Sequence, residues 1–156
     1  MQAIASIEVG QEAPDFKLKG PGGQFVTLSE YRGKKNVVLV FYPLAFSPVC
    51  SHQLPTIQKE MERFRALNAE VLGVSVDSHY ANEAFAKHLV LTFPLLSDFM
   101  RETSAAYGVL MPERQYSGRA LFVVDQQGKV AYKDVAPNPG EIPSNERLRQ
   151  ALEALR

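Results

Sequence analysis

Residues 37–41 read Val-Val-Leu-Val-Phe, an unbroken apolar run rich in β-branched side chains. A strand with one wet face alternates apolar and polar residues, so a continuous run marks a strand covered on both faces. Residues 36–42 are therefore expected to form a central strand with helices packed around it. Beyond a Pro-bounded loop, Leu54, Ile57, Met61 and Phe64 recur at steps of three and four. That spacing predicts one face of a helix ending near Asn68. Residues 70–76 read as a second strand, 79–89 as a helix, 93–96 as a short strand and 103–107 as a short helix. Residues 120–125 and 129–135 flank Gln126-Gln127-Gly128, the turn of an antiparallel hairpin. Leu148, Leu152 and Leu155 give the last helix an apolar stripe, with Ser144 as its N-cap. At the other end, Phe16 and Leu18 alternate with lysines, and residues 25–28 follow a glycine-rich turn, which predicts an N-terminal β-hairpin.

The order βαβ, then ββα, implies an α/β fold: a thioredoxin-like sandwich with a mixed central sheet flanked by helices. A chain of 156 residues fits one domain, residues 1–156, and no repeat or linker divides it. Seventeen basic residues balance seventeen acidic ones, so no net field recruits nucleic acid or an anionic membrane. Residues 1–9 show no basic head before an apolar run, and nowhere do eighteen apolar residues follow one another. A cytoplasmic protein is expected. Its single cysteine, Cys50, excludes an intramolecular disulfide and suits a reducing compartment.

Cys50 stands where the buried strand hands over to the helix. Ser47 is a favoured N-cap and Pro48 a favoured first helical residue, which puts Cys50 in the first turn among unpaired N–H groups. The helix dipole favours an anion there, and a neighbouring cation adds to the effect, so a thiolate is expected. Ionisation alone explains little reactivity. Complete ionisation raises the thiolate fraction at pH 7 by at most roughly 30-fold, and lost nucleophilicity returns about tenfold of that. Donors aimed at the atom that gains charge contribute more. The sequence offers the Ser47 hydroxyl, the helix-start N–H groups and a guanidinium, for which Arg119 at the mouth of the strand 120–124 is the candidate, with Arg101 next.

Taken alone, a lone cysteine is as readily a small buried hydrophobe, Ser47 a mere cap, Pro43 a strand terminator and Arg119 a surface charge. Their conjunction is what chance does not readily supply. Pro43, Ser47 and Cys50, in Pro-Leu-Ala-Phe-Ser-Pro-Val-Cys, match the peroxiredoxin pattern Pro-x-x-x-Thr/Ser-x-x-Cys. The chain also resembles that family at residues 13–16, 93–98, 106–109 and 119–125. The nearest subgroups are the bacterioferritin-comigratory type and the one-cysteine enzymes similar to alkyl hydroperoxide reductase E. The resemblance implies a thiol peroxidase without cofactor or metal, acting on hydrogen peroxide and organic hydroperoxides. By position it implies Cys50 as the peroxidatic cysteine, Ser47 and Arg119 holding peroxide and thiolate, and Pro43 shielding the thiolate from water. Tyr42, Phe46, Val49 and Gln53 are the expected substrate-pocket residues.

Two departures from the family stand out. Gln53 replaces a glutamate that orients the arginine in many relatives, and an amide can orient but not pair. Pro55 occupies the position of the resolving cysteine in some relatives, which leaves reduction to an external thiol. That reductant is expected to be a low-molecular-weight thiol with a glutaredoxin-like protein, or a thioredoxin. Pro55 is also expected to kink the helix. A homodimer is compatible with the resemblance. The rival readings are a disulfide oxidoreductase, which Ser47 in the place of a second cysteine disfavours, and a redox-responsive binding or holdase protein without turnover. His52, His79 and His88 lack metal-ligand spacing, and His52 is expected to face solvent.

Overall fold

The structure, a computed structural model, describes residues 7–155. The central strand β3, Asn36–Phe41, is buried along its whole length. Its side chains alternate between two cores. Val38 and Val40, continued by Tyr42, pack with Cys50, Leu54, Ile57, Phe64, Phe85, Leu148 and Leu152. Val37, Leu39 and Phe41 face the opposite way, toward Phe16, Leu28, Tyr107 and Phe122. The period-2 geometry of a strand thus turns one continuous apolar run into two half-cores.

The N-terminal hairpin is β1 (Lys17–Lys19) and β2 (Phe25–Thr27), paired antiparallel as the alternation predicts. After β3 come α1 (Pro48–Lys59), α2 (Met61–Ala66), β4 (Ala69–Ser75), α3 (His79–Leu89), β5 (Leu95–Ser97) and α4 (Glu102–Ala106). The small hairpin β6 (Leu110–Met111) and β7 (Tyr116–Ser117) precedes β8 (Ala120–Val124), β9 (Val130–Val135) and α5 (Asn145–Glu153). Seven strands form one mixed sheet in the order β2-β1-β5-β4-β3-β8-β9, with β3 parallel to β4 and antiparallel to β8. The β8–β9 turn closes as expected. Gly128 takes φ +82°, and Asp125 Oδ1 accepts from the Gln127 and Lys129 N–H groups.

Two expectations are corrected. The helix carrying Leu54, Ile57, Met61 and Phe64 is two helices, parted at Glu60, whose φ of −94° and ψ of 0° tighten the junction. All four side chains nevertheless share one core, because the break preserves the face. Pro55 lies inside α1, which continues through that position to Lys59. Leu155 lies past the end of α5 and is 37% exposed, whereas Leu148 and Leu152 are buried. Ser144 caps α5 as expected, accepting from the Arg147 N–H. The hairpin of β6 and β7 has no sequence signature, since two-residue strands have no readable period. Among the described residues, no helix is long and apolar enough to cross a membrane.

Tyr107 ties the second half-core together. Its ring lies edge-on to Phe122, and its O–H donates to the Pro14 carbonyl at 2.7 Å. Burial pushes its phenol well above the ordinary tyrosine range, and burial does the same for Tyr42. An unfolded tyrosine ionises near pH 10 while these two keep their protons, so the unfolded state binds fewer protons above that pH. Stability should therefore fall as pH rises past about 10, by about 1.4 kcal/mol per pH unit for each such tyrosine. Denaturant titrations between pH 9 and 11 should show a shallower decline for Tyr107→Phe than for the unsubstituted protein. An unchanged slope would remove Tyr107 as a cause.

Candidate active site around Cys50

The register of β3 and β8 builds the site. Phe41 pairs with Ala120, so Tyr42 and Arg119 continue adjacent strands at the same edge of the sheet. The chain leaving β3 there turns over residues 43–47 into α1, which brings Cys50 back beside Arg119. Both are deeply buried, Cys50 at 0% and Arg119 at 2% exposure. Arg119 Nη1 donates to Cys50 Sγ at 3.2 Å and to Gln53 Oε1 at 2.7 Å. Gln53 lies three residues beyond Cys50 on α1, the spacing that puts two side chains on one face. The guanidinium is aimed by a third bond, from Nε to the Pro139 carbonyl at 2.9 Å.

Burial of a guanidinium is costly unless its charge is met. Among the described residues no carboxylate forms an ion pair with Arg119. Of its three acceptors, an amide oxygen, a backbone carbonyl and Sγ, only sulfur can carry a full negative charge. The Gln53 amide is oriented by the same bond, because only its oxygen can accept from Nη1. Its Nε2 is left buried without a hydrogen-bond partner. The neutral amide therefore orients Arg119 without competing for its charge.

Ser47 occupies the N-cap position of α1 with extended dihedrals, and Pro48 follows as the first helical residue. Its hydroxyl, however, does not cap. It donates to the Leu44 carbonyl at 2.9 Å, inside the loop. This corrects the expected side-chain cap and leaves the hydroxyl's lone pairs free to accept. Pro43 is buried between the strand end and the loop, and Val49 is half-buried. Phe46 is 53% exposed and adopts φ +66°, with its ring against Phe85 and His88 at centroid distances of 4.9 and 5.7 Å. Tyr42 packs in the Cys50 half-core, but its O–H is committed to Asn82 Oδ1. His52 is exposed, as expected of a solvent-facing position. Arg101 is engaged elsewhere, donating to the Gln115 and Phe99 carbonyls.

The structure therefore brings Cys50, Gln53 and Arg119 into direct contact, with Pro43, Ser47 and Val49 in the adjoining strand-to-helix turn. Two contributors have no signal in the sequence: Pro139, from a segment legible only as a turn, and Asp77, whose Oδ2 accepts from the Ala45 N–H at 2.8 Å. Neither lies in a motif; both act over long sequence separations. The chain also has a cleft of about 590 Å³. It is lined by Phe25, His79, Phe99 and Met100, not by Cys50, and holds none of the groups just described.

Residues 9–133 match the AhpC/TSA family. The chain is 38% identical over 151 residues to alkyl hydroperoxide reductase E of Mycobacterium tuberculosis, spanning 96% of this chain and 98% of that protein. Among solved structures it superposes on the reduced 2-Cys peroxiredoxin of Plasmodium vivax with a TM-score of 0.87 and 34% identity, covering 94% and 81% of the two chains. It also resembles the peroxidoxin BcpB of Mycobacterium tuberculosis, at a TM-score of 0.86 and 27% identity over 96% and 99%.

Proposed function

Because the chain belongs to the AhpC/TSA family of peroxiredoxins, we propose that it is a one-cysteine thiol peroxidase in which Cys50 reduces hydrogen peroxide and organic hydroperoxides. The observation that carries this reading is the Arg119 guanidinium, held by Gln53 and Pro139 with Nη1 3.2 Å from Cys50 Sγ.

The Cys50 thiolate attacks one oxygen of the hydroperoxide. An S–O bond forms, the O–O bond breaks, and the leaving oxygen departs with the electron pair and takes up a proton as water or an alcohol. Sulfur is oxidised by two electrons to the sulfenic acid. Charge moves from sulfur to the leaving oxygen, and a fixed guanidinium beside Sγ is placed to follow it, which is how preorganised donors lower a barrier. Gln53 orients Arg119, Pro43 covers the thiolate, and the Ser47 oxygen can accept from the peroxide O–H. Phe46 and Val49 stand at the entrance and Tyr42 beneath it.

A thiol then attacks the sulfenic sulfur, releasing water and forming a mixed disulfide that a second thiol resolves to free Cys50. The only cysteine in the sequence is Cys50, so these thiols come from outside the chain. A low-molecular-weight thiol with a glutaredoxin-like protein, or a thioredoxin, fits that requirement in a reducing, cytoplasmic setting. The protein can act as a monomer or as a homodimer, since every group named above comes from one chain.

Lysine cannot reproduce the fork that reaches sulfur, amide and carbonyl together. Arg119→Lys should slow peroxide reduction at least about tenfold with an unchanged circular dichroism spectrum. Near-normal stopped-flow kinetics would assign the role elsewhere.

Counting sulfur gives a second test. Intact-protein mass spectrometry should show one added oxygen after one equivalent of peroxide and a second with excess, and added thiol should exchange the first oxygen for its own adduct. Many turnovers with no reductant present would refute the one-cysteine mechanism.

A further inference from the structure

Residues 43–47 contain the strained turn of the site and have little hydrogen-bonded support. Phe46 holds a left-handed conformation that bulky L-residues disfavour. The Ser47 N–H and hydroxyl both turn back to the Leu44 carbonyl, within the same stretch. Among the described residues, one hydrogen bond ties residues 43–47 to a distant part of the chain: Ala45 N–H donates to Asp77 Oδ2 at 2.8 Å.

Asp77 is itself firmly placed, between the end of β4 and Ser78, which caps α3. The Ser75 hydroxyl reaches the same Oδ2 at 2.7 Å, and the Asp77 carbonyl accepts from the Ser97 hydroxyl at 2.6 Å. The Ser75 hydroxyl has one proton and a second acceptor within reach, Asn82 Oδ1 at 3.1 Å. That oxygen already accepts from Tyr42 O–H, and the Asn82 amide is oriented by its Nδ2 bond to the Leu96 carbonyl. Asp77 Oδ2 is the nearer of the two acceptors, 2.7 Å against 3.1 Å, and takes the Ser75 proton. The Ser75 hydroxyl and the Ala45 N–H thus meet on the same carboxylate oxygen of Asp77.

We propose that Asp77 is a positioning residue for Cys50: through the Ala45 N–H, its carboxylate holds residues 43–47 closed over the thiol in the arrangement that peroxide reduction uses. Asp77 touches no reacting atom, and the proposal rests on the peroxidase reading of the same site. A carboxylate oxygen makes a stronger bond to a backbone N–H than a neutral acceptor does, which suits the one hydrogen bond that reaches this loop from a distant element.

The test measures two rates at one pH for the unsubstituted protein, Asp77→Ala and Asp77→Asn: stopped-flow reduction of hydrogen peroxide, and alkylation of Cys50 by iodoacetamide. Alkylation needs only access to sulfur, whereas peroxide reduction also needs the surrounding donors in place. In Asp77→Ala, peroxide reduction should fall at least about tenfold while alkylation rises severalfold. Asp77→Asn keeps a carbonyl acceptor for Ala45 and should stay within about threefold of the unsubstituted protein on both. Circular dichroism and thermal melting establish that each variant is folded. Should Asp77→Ala not fold, Ser75→Ala replaces it, with smaller changes in the same two directions. Rates that move together in a folded variant, that both stay within twofold, or that are as perturbed in Asp77→Asn as in Asp77→Ala would overturn the proposal. If the unsubstituted protein fails to reduce any hydroperoxide, the peroxidase reading falls instead, and the alkylation rates still decide whether Asp77 holds the loop.

Discussion

A guanidinium buried without a carboxylate is the constraint around which the site is arranged. Arg119 is almost fully enclosed, and its acceptors among the described residues are the Cys50 sulfur, the Gln53 amide oxygen and the Pro139 carbonyl. Neutral acceptors satisfy its N–H groups but not its charge, and an unmet buried charge is strongly destabilising. Of the three acceptors, only the Cys50 sulfur can carry a full negative charge. In the proposed peroxidase reading, the contact that would activate sulfur also makes burial of the arginine tolerable, so site chemistry and core stability meet in one contact. A glutamate at position 53 would change this, because it would compete with sulfur for the guanidinium. With glutamine there, the arginine is oriented but its charge remains available to the reacting atoms.

That contact depends on the sheet. Arg119 and Tyr42 sit at corresponding ends of β8 and β3 because Phe41 and Ala120 are paired, and a slip of one residue would turn Arg119 to the other face. In the observed register Val38 and Val40 belong to one half-core, and Val37, Leu39 and Phe41 to the other. The strand that the unbroken apolar run makes legible in the sequence is thus also the one whose pairing with β8 carries Arg119 to the Cys50 side.

Features that arise from neighbours in sequence are legible there. The strand at residues 36–42, the helix at 79–89, the hairpin around Gly128 and the Ser144 cap are of this kind, and the structure has each of them. Where structure departs from expectation, competing contacts decide. Ser47 has the residue type and dihedrals of a cap, yet its hydroxyl bonds to Leu44 because the left-handed turn at Phe46 brings that carbonyl within reach. Glu60, with no signature of a helix end, is where the helix parts. The motif residues Pro43, Ser47, Cys50 and Arg119 are legible in the sequence; the groups that aim them, Pro139 and Asp77, are not, because they arrive from distant turns.

Cys50 has no exposed surface, although both halves of the proposed cycle require contact with its sulfur. The two reaction partners differ in what they demand. Hydrogen peroxide is hardly larger than water, and a small displacement of the entrance around Phe46 and Val49 admits it. A thiol brings a carbon chain or a whole protein, so residues 43–47 must move much farther before it can align with the S–O bond. These residues are built for such a division. The loop contains a disfavoured backbone conformation, an aromatic ring more than half in solvent and one hydrogen bond to a distant element, whereas β3 beside it is buried throughout. Segments with few buried contacts open at low free-energy cost while the core stays intact. In the proposed cycle, a closed loop would keep the donors aligned on sulfur, and an opened one would expose the sulfenic acid to an external thiol. The strength of the loop's attachment therefore trades one half of the cycle against the other: a tighter hold favours peroxide reduction and delays regeneration, and a looser one does the reverse.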